Sequence, residues 1–394
     1  WPEGVMVYAR PPPGYRTFDH RGVPFVWRML VPLYGDTEAA YLWNCTIVKQ
    51  LTQAQGFKQS DDDPCYFRKV LQDGTDMDIV LYVDDGSVTD AHSEFADDEL
   101  TTLNEALKEK DGSDGLKIAD ADYFLGANAT IECDDTVTLS ARAYVTQLAA
   151  RFLDKPLDQY RDYTMPCSKV IMDAYEEALA RKDLLDEDER KAYASKVGAA
   201  IFAGPVARFD ALFALGMCAR CLTFATKKMN DCIERVIVYM AQTADRGITY
   251  DGKRADPMVY EVYSDSDWCV THSTSGLVHC LGRRAISASS KRQQSIALSS
   301  TEAEIMAASL AGAEIICMRG VLAAMGYDMT EPTVLWVDNS GAVELSKRKE
   351  SSARSRHILR RYLKIREWVL EGHIIVKYVP THKNRADMFT KPMT

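Results

Sequence analysis

Two groups of carboxylates stand where chemistry could be done. Asp84 and Asp85 close the apolar run Ile79-Val-Leu-Tyr-Val83 and precede Gly86-Ser-Val88, a β-hairpin pattern with two adjacent acids at its tip. Charges so close repel unless a cation neutralises them. The pattern therefore points to a divalent metal, naturally Mg²⁺ with oxygen ligands, and to phosphate chemistry. A solvent-exposed Asp-Asp turn is the plain alternative.

The second group is spread over the last third of the chain. Asp265 and Asp267 follow the strand-like Val259-Tyr-Glu-Val-Tyr263 and lie two apart, hence on one face. Glu304 falls in the first turn of a helix after Ser299-Ser-Thr-Glu-Ala-Glu304. Asp338 follows Val334-Leu-Trp-Val337, and Asp387 opens a last short helix after Asn384. Four carboxylates at element ends could grip two divalent ions for in-line phosphodiester hydrolysis. Each also has a structural reading: a capping box of Ser299 with Glu302 or of Thr301 with Glu304, a turn at Asp338-Asn339, and an Asn384 cap beside Asp387.

The elements that must position these groups follow from the pattern. Residues 36–56 predict a helix, 65–90 strands and the hairpin, 93–110 a helix and 123–139 strands. Helices are expected over 141–153, 170–181, 187–203, 208–225 and 231–243. A new unit begins near 256, with strands at 259–263, 276–287, 333–337 and 374–379, helices at 302–325 and 355–371, and a short helix from 385. Strands alternating with helices predict an α/β domain with a mixed sheet there.

At 394 residues the chain is long enough for two or three domains, and 46% hydrophobic with 26% charged residues is ordinary globular composition. No run reaches the ~18 apolar residues of a membrane span, so no membrane partner is expected. Ten cysteines form no framework. Cys218-Ala-Arg-Cys221 lacks a second ligand pair, so buried reduced thiols are expected rather than zinc, in a reducing compartment. The net charge of −10 hides a basic end: residues 341–394 hold 13 Lys/Arg against 5 Asp/Glu. Arg354, Arg356, His357, Arg360 and Arg361 form its densest part and read as a phosphate-binding ridge, with a solvated helix face as the plain alternative.

Taken together, the motifs resemble the reverse transcriptase–RNase H portion of copia-type LTR retrotransposon Pol polyproteins, over essentially the whole chain. The carriers are Val7-Tyr8, Pro12-Pro-Gly-Tyr15, Leu33-Tyr-Gly35, Trp43, Gly56-Phe57, Asp63-Pro-Cys-Tyr66, Tyr82-Val-Asp-Asp85 and Tyr123-Phe-Leu-Gly126. They continue with Met165-Pro166, Val197-Gly198, Arg208 and Asp210, then Tyr263-Ser-Asp-Ser-Asp-Trp268, Ser273-Thr-Ser-Gly276, Ser290-Lys291, Ala297-Leu-Ser-Ser-Thr-Glu-Ala-Glu304, Val337-Asp-Asn339, Arg356-His-Ile358, Ala386-Asp387 and Thr390-Lys391.

The resemblance implies an α+β and α/β multidomain chain: an incomplete palm-and-thumb polymerase region (1–155), a helical thumb or connection region (156–255) and an RNase H-like domain (256–394). It implies RNA-directed DNA polymerase and ribonuclease H chemistry with two Mg²⁺ per site, Mn²⁺ being the alternative ion. Asp84 and Asp85 take polymerase metal roles, and Asp265, Glu304, Asp338 and Asp387 those of the nuclease. His382 becomes a proton-handling or product-release residue, an exposed loop histidine being equally consistent. Lys291 joins the basic ridge in binding nucleic acid. The implied partners are an RNA–DNA hybrid, template-primer, dNTP and the rest of the Pol polyprotein. The implied location is the cytoplasm in virus-like particles, and the nucleus.

There are departures. The first polymerase carboxylate of the family would precede Trp1, so this chain alone is expected not to extend a primer. Thr37 and Tyr41 stand where the family has cations, and Gly86 where it has a bulky apolar residue. A decayed or repurposed element product that binds nucleic acid without catalysis is the competing expectation.

Overall fold

The computed structural model describes all residues except 1–5, 30–37, 84, 91–92, 112–114, 120–121, 134–135, 252–256, 270, 348–363 and 393–394. Asp84, Thr37, Leu33-Tyr-Gly35 and the ridge Arg354, Arg356, His357, Arg360 and Arg361 therefore lie outside the described residues. The chain divides into two compact units, one of Trp1–Asp120 with Ala324–Gly326, the other of Ala121–Ala323 and Tyr327–Thr394.

In the first unit, β1 (Tyr8–Ala9) and β2 (Trp27–Arg28) pair as a small ribbon. Helix α1 (Ala39–Lys49) runs on through a π-helical turn, Gln50–Ala54. Then β3 (Lys58–Gln59), β4 (Tyr66–Val70), β5 (Asp76–Tyr82) and β6 (Asp85–Asp90) form an antiparallel sheet in sequential order, followed by α2 (Ser93–Asp111). The alternation in β4 and β5 sends Phe67, Met77 and Ile79 inward, where they meet Ile47 and Leu51 from the first helix and Leu103 and Leu107 from α2. Tyr82 pairs with Asp85 across the hairpin.

The second unit begins with β7 (Tyr123–Phe124), β8 (Ala127–Ile131) and β9 (Val137–Ser140). With β10 (Gly247–Tyr250) they make an antiparallel sheet in the order β10-β9-β8-β7. Between β9 and β10 run α3 (Arg142–Phe152), α4 (Val170–Leu179), α5 (Glu187–Ala207), α6 (Leu212–Ala219) and α7 (Lys227–Gln242) around one apolar core. Several boundaries differ from the sequence expectation, α5 running on to Ala207 rather than 203. The helix expected to reach 225 stops at Ala219, and α7 starts at Lys227, because the Thr226 hydroxyl accepts from the Met229 N–H at 3.2 Å and caps it. Arg208 is fully buried between these helices. It is bidentate to Asp210 at 3.1 and 3.0 Å and donates to the Met240 carbonyl at 2.9 Å. Cys218 and Cys221 are buried in the same core, and burial holds the Cys218 thiol well above its usual range and pushes Cys221 up to about 12. Both are protonated packing groups.

After β10 come β11 (Tyr260–Ser266), β12 (Thr274–Leu281), β13 (Arg284–Arg292), α8 (Ser300–Ala324), β14 (Thr333–Val337), α9 (Ser340–Lys347), α10 (Lys364–Leu370) and β15 (Ile374–Tyr378). The sheet order is β13-β12-β11-β14-β15. β11, β12 and β13 pair antiparallel, while β14 lies parallel to β11 and β15 parallel to β14. This is the mixed sheet expected from the sequence. By length and composition α8 could cross a membrane. Its apolarity serves a core instead: Ala303, Ile305, Ala308, Ala311 and Ile315 are all buried.

Candidate metal centre

The parallel pairing of β11 with β14 sets Ser264 against Val337, so the chain leaves both strands side by side and Asp265 comes next to Asp338. Glu304 reaches the same point from the first turns of α8. Ligand oxygens of Asp265, Glu304 and Asp338 all lie within 4.8 Å of one another, the one such acidic group among the described residues.

Local hydrogen bonds decide which acid is left free. The Ser299 hydroxyl accepts from the Glu302 N–H at 3.1 Å, and Glu302 Oε2 accepts from the Leu298 N–H at 2.8 Å, so the cap of α8 is made by Glu302. Glu304 makes no such cap; its Oε1 accepts from the Ser266 N–H at 3.0 Å, and its Oε2 is buried with no partner. Asn339 caps α9 through the Ala342 N–H at 3.0 Å, which spares Asp338. Asp267 diverges from Asp265: its carboxylate accepts from the N–H and hydroxyl of Thr274. The pair expected on one face is thus split, because Asp267 lies past the last residue of β11.

Electrostatics follow from this geometry. Burial, then the charges of Asp265 and Asp338, raises Glu304 to about 9, the Ser266 N–H only partly offsetting them. Burial, with the charges of Asp338 and Asp387, raises Asp265 to about 6 against the Thr390 hydroxyl that donates to it. An unpartnered buried oxygen among repelling carboxylates is what a divalent cation relieves, so the donor set fits such an ion.

Asp387 lies in a 3₁₀ turn, Asp387–Phe389, where its carboxylate pairs with the Lys391 ammonium. Its charge reaches Asp265, but its oxygens are not in the triad. His382 is exposed in the turn Thr381–Lys383. The C-terminal segment is seated by Asn384, whose amide donates to the Ser264 carbonyl at 2.9 Å.

Residues 3–160 match the reverse transcriptase (RNA-dependent DNA polymerase) family. The Retrovirus-related Pol polyprotein from transposon RE1 of Arabidopsis thaliana is 28% identical over 393 residues, 98% of this chain and 25% of that protein. The Retrovirus-related Pol polyprotein from transposon TNT 1-94 of Nicotiana tabacum is 26% identical over 396 residues, 98% of this chain and 28% of that protein. The chain is similar to retrotransposon Pol polyproteins over nearly its whole length. It spans about a quarter of the length of these curated relatives. A solved structure of the foamy viral protease-reverse transcriptase in complex with dsDNA is 14% identical with a TM-score of 0.46, covering 92% of this chain and 62% of that one.

Within the segment that matches the reverse transcriptase family, the β5–β6 hairpin places Asp85 in the open, at the start of β6. The Trp43 indole donates to the Val83 carbonyl at 2.8 Å, and Val83 sits at φ 59, an outlier for a β-branched residue. Lys291 is exposed and pairs with Glu314 at 3.1 Å. Sequence reasoning missed Gln293, whose buried amide donates to the Ser266 and Ser275 hydroxyls and the Ala303 carbonyl at 3.1, 3.0 and 2.9 Å, joining β11, β12 and α8. It missed Arg220 too, which donates to the Thr274 hydroxyl at 2.9 Å. Gln293 stands in a polar run and Arg220 is a lone cation in an apolar one, and no local pattern marks either as part of a site.

Proposed function

We propose that this chain hydrolyses the RNA strand of an RNA–DNA hybrid at the Asp265–Glu304–Asp338 centre with Mg²⁺, as the nuclease part of a retrotransposon Pol polyprotein. The observation that carries the reading is the triad itself: three carboxylates from three elements, within 4.8 Å, with Glu304 Oε2 buried and unpartnered. Asp265, Glu304 and Asp338 would hold the ion, with Asp387 as a further carboxylate beside it. When bound, the metal supplies an activated water and stabilises the leaving 3′-oxygen.

The protein's own residues prepare that site. Ser266 orients Glu304, Thr390 holds Asp265, and Lys391 pairs with Asp387. His382, exposed in its turn, would take or give a proton in this reading. Lys291 and the cluster Arg354, Arg356, His357, Arg360 and Arg361 would hold the duplex by its phosphates, with 2′-hydroxyl contacts marking the RNA strand. Asp84 and Asp85 belong, in this reading, to the polymerase function of the parent polyprotein, aligning a primer 3′-hydroxyl with a dNTP. The division into 1–155, 156–255 and 256–394 and the setting in virus-like particles are parts of the same proposal.

The test is cleavage of a labelled RNA–DNA hybrid by the chain in Mg²⁺. Asp338→Asn should reduce the rate by more than about 100-fold, since even supporting groups around a metal are worth 10–100-fold. Hybrid binding without cleavage by the unaltered chain would overturn the reading in favour of a repurposed nucleic-acid-binding protein.

A further inference from the structure

A second basic site lies beside the metal centre, where the helical region meets the sheet. Asp265 pairs with Gly276 and Gly276 with Ser290, so the three stand in one row across β11, β12 and β13. At the far end of that row α6 comes close: a Cβ on Gly216 would stand 3.5 Å from the Ser290 carbonyl. One turn on, Arg220 donates to Thr274, and Thr274 pairs with Arg292 on β13. Between them is a cavity of about 430 Å³ lined by Gly216, Ala219, Arg220, Ser290, Lys291 and Arg292.

No acid lines it. Lys291 directs its ammonium to Glu314 on α8. Among the described residues neither Arg220 nor Arg292 has a carboxylate at ion-pair distance, and Asp267 reaches Arg220 only through the Thr274 hydroxyl. Burial, and the like charge of Arg292, pull the Arg220 guanidinium below its ordinary range, although Asp267 opposes them. Two guanidiniums at one cavity with no carboxylate in its lining form a seat for an anion, and planar forks suit phosphate oxygens.

We propose that this cavity seats a backbone phosphate of the bound hybrid, with Arg220 and Arg292 as its ligands. The seat rests on the hybrid-hydrolysis reading above. Its position fits that reading: Ser290 lies two strands from Asp265, about 10 Å at ~4.8 Å per strand. That is on the order of three base steps at ~3.4 Å each. A helix outside the mixed sheet would thereby fix the register of the duplex over the carboxylates.

Binding of a defined RNA–DNA hybrid to the whole chain, measured against salt concentration, tests it. Arg292→Gln and Arg220→Gln should each weaken binding and lower the slope of log K against log salt by about 0.7–0.9, the value of one phosphate contact, while Arg220→Lys should keep the slope. A scan of single methylphosphonate linkages along both strands should find one position where the unaltered chain loses affinity and Arg292→Gln loses no more. Arg292 is exposed, so this variant carries the test even if Arg220→Gln fails to fold. Unchanged slopes in Arg292→Gln, with hybrid binding and cleavage intact, would overturn the seat and leave the nuclease reading standing. Absence of hybrid binding by the unaltered chain would remove both.

Discussion

The Ser266 N–H donates to Glu304 Oε1 at 3.0 Å, tying the first turns of α8 to the end of the strand that carries Asp265. One bond does two things. It satisfies an N–H at a strand terminus, and it turns the second oxygen of Glu304 into a buried space shared with two other carboxylates. The arrangement is strained electrostatically until a cation arrives.

That strain predicts a pH dependence. The folded chain holds Glu304 at about 9 and Asp265 at about 6, whereas unfolded carboxylates titrate near ~4. Over that interval the folded state keeps protons that the unfolded state has lost. The stability they contribute is complete below the unfolded value and disappears as pH rises through the folded one. The melting temperature of the metal-free chain should therefore fall from about pH 5 to about pH 9, and Glu304→Gln should flatten most of the decline while abolishing cleavage. Mg²⁺ should stabilise the unaltered chain increasingly as pH rises, because the ligands must shed protons to bind it. Parallel melting curves for the two proteins across this range would contradict the account.

Gly276 is the close-approach residue of the site. A Cβ there would stand 2.8 Å from the Ala386 carbonyl and 2.8 and 2.9 Å from Thr390 Cγ2 and Phe389 Cβ. Gly276→Ala should cost roughly 1–3 kcal/mol as an overpacked contact. It should also slow hybrid cleavage, since the segment it displaces bears Asp387, Thr390 and Lys391. Thermal melts and single-turnover rates measure the two effects, and an alanine variant as stable and as fast as the parent would refute the packing argument.

Arg208 predicts the largest stability loss. Its guanidinium is fully buried, bidentate to Asp210, and 5.1 Å from the centre of the Tyr239 ring, whose hydroxyl also donates to Asp210 at 2.6 Å. Arg208→Met leaves Asp210 without its cation and should cost about 3–5 kcal/mol. The urea midpoint should drop accordingly, and a loss under 1 kcal/mol would show that the network is not holding α5 to α7.

At the polymerase-type hairpin, Trp43→Phe removes the indole bond to Val83 and should cost about 0.5–1.5 kcal/mol. Val83→Gly should be neutral or stabilising by up to about 1 kcal/mol, because glycine adopts positive φ without the steric penalty of a β-branched residue. Marked destabilisation by Val83→Gly, read from chemical unfolding, would mean that the valine side chain contributes packing that outweighs its backbone strain.

The sequence by itself determined the elements and the candidate acids. Apolar runs marked β5 and β14, alternation marked β11, and Ser299 with Glu302 marked the start of α8, because such patterns and capping are local. Local rules could not say which acid would be free. Glu302 and Glu304 both had capping partners in range, and the two-residue spacing put Asp265 and Asp267 on one face. Tertiary structure alone decided that Glu302 caps while Glu304 turns to Ser266, and that Asp267 is taken by Thr274. It alone brought Arg220 from α6 to the edge of β13. Such choices depend on pairings between residues tens of positions apart, made only once the parallel strand and its crossover helix have closed, and no local pattern records them.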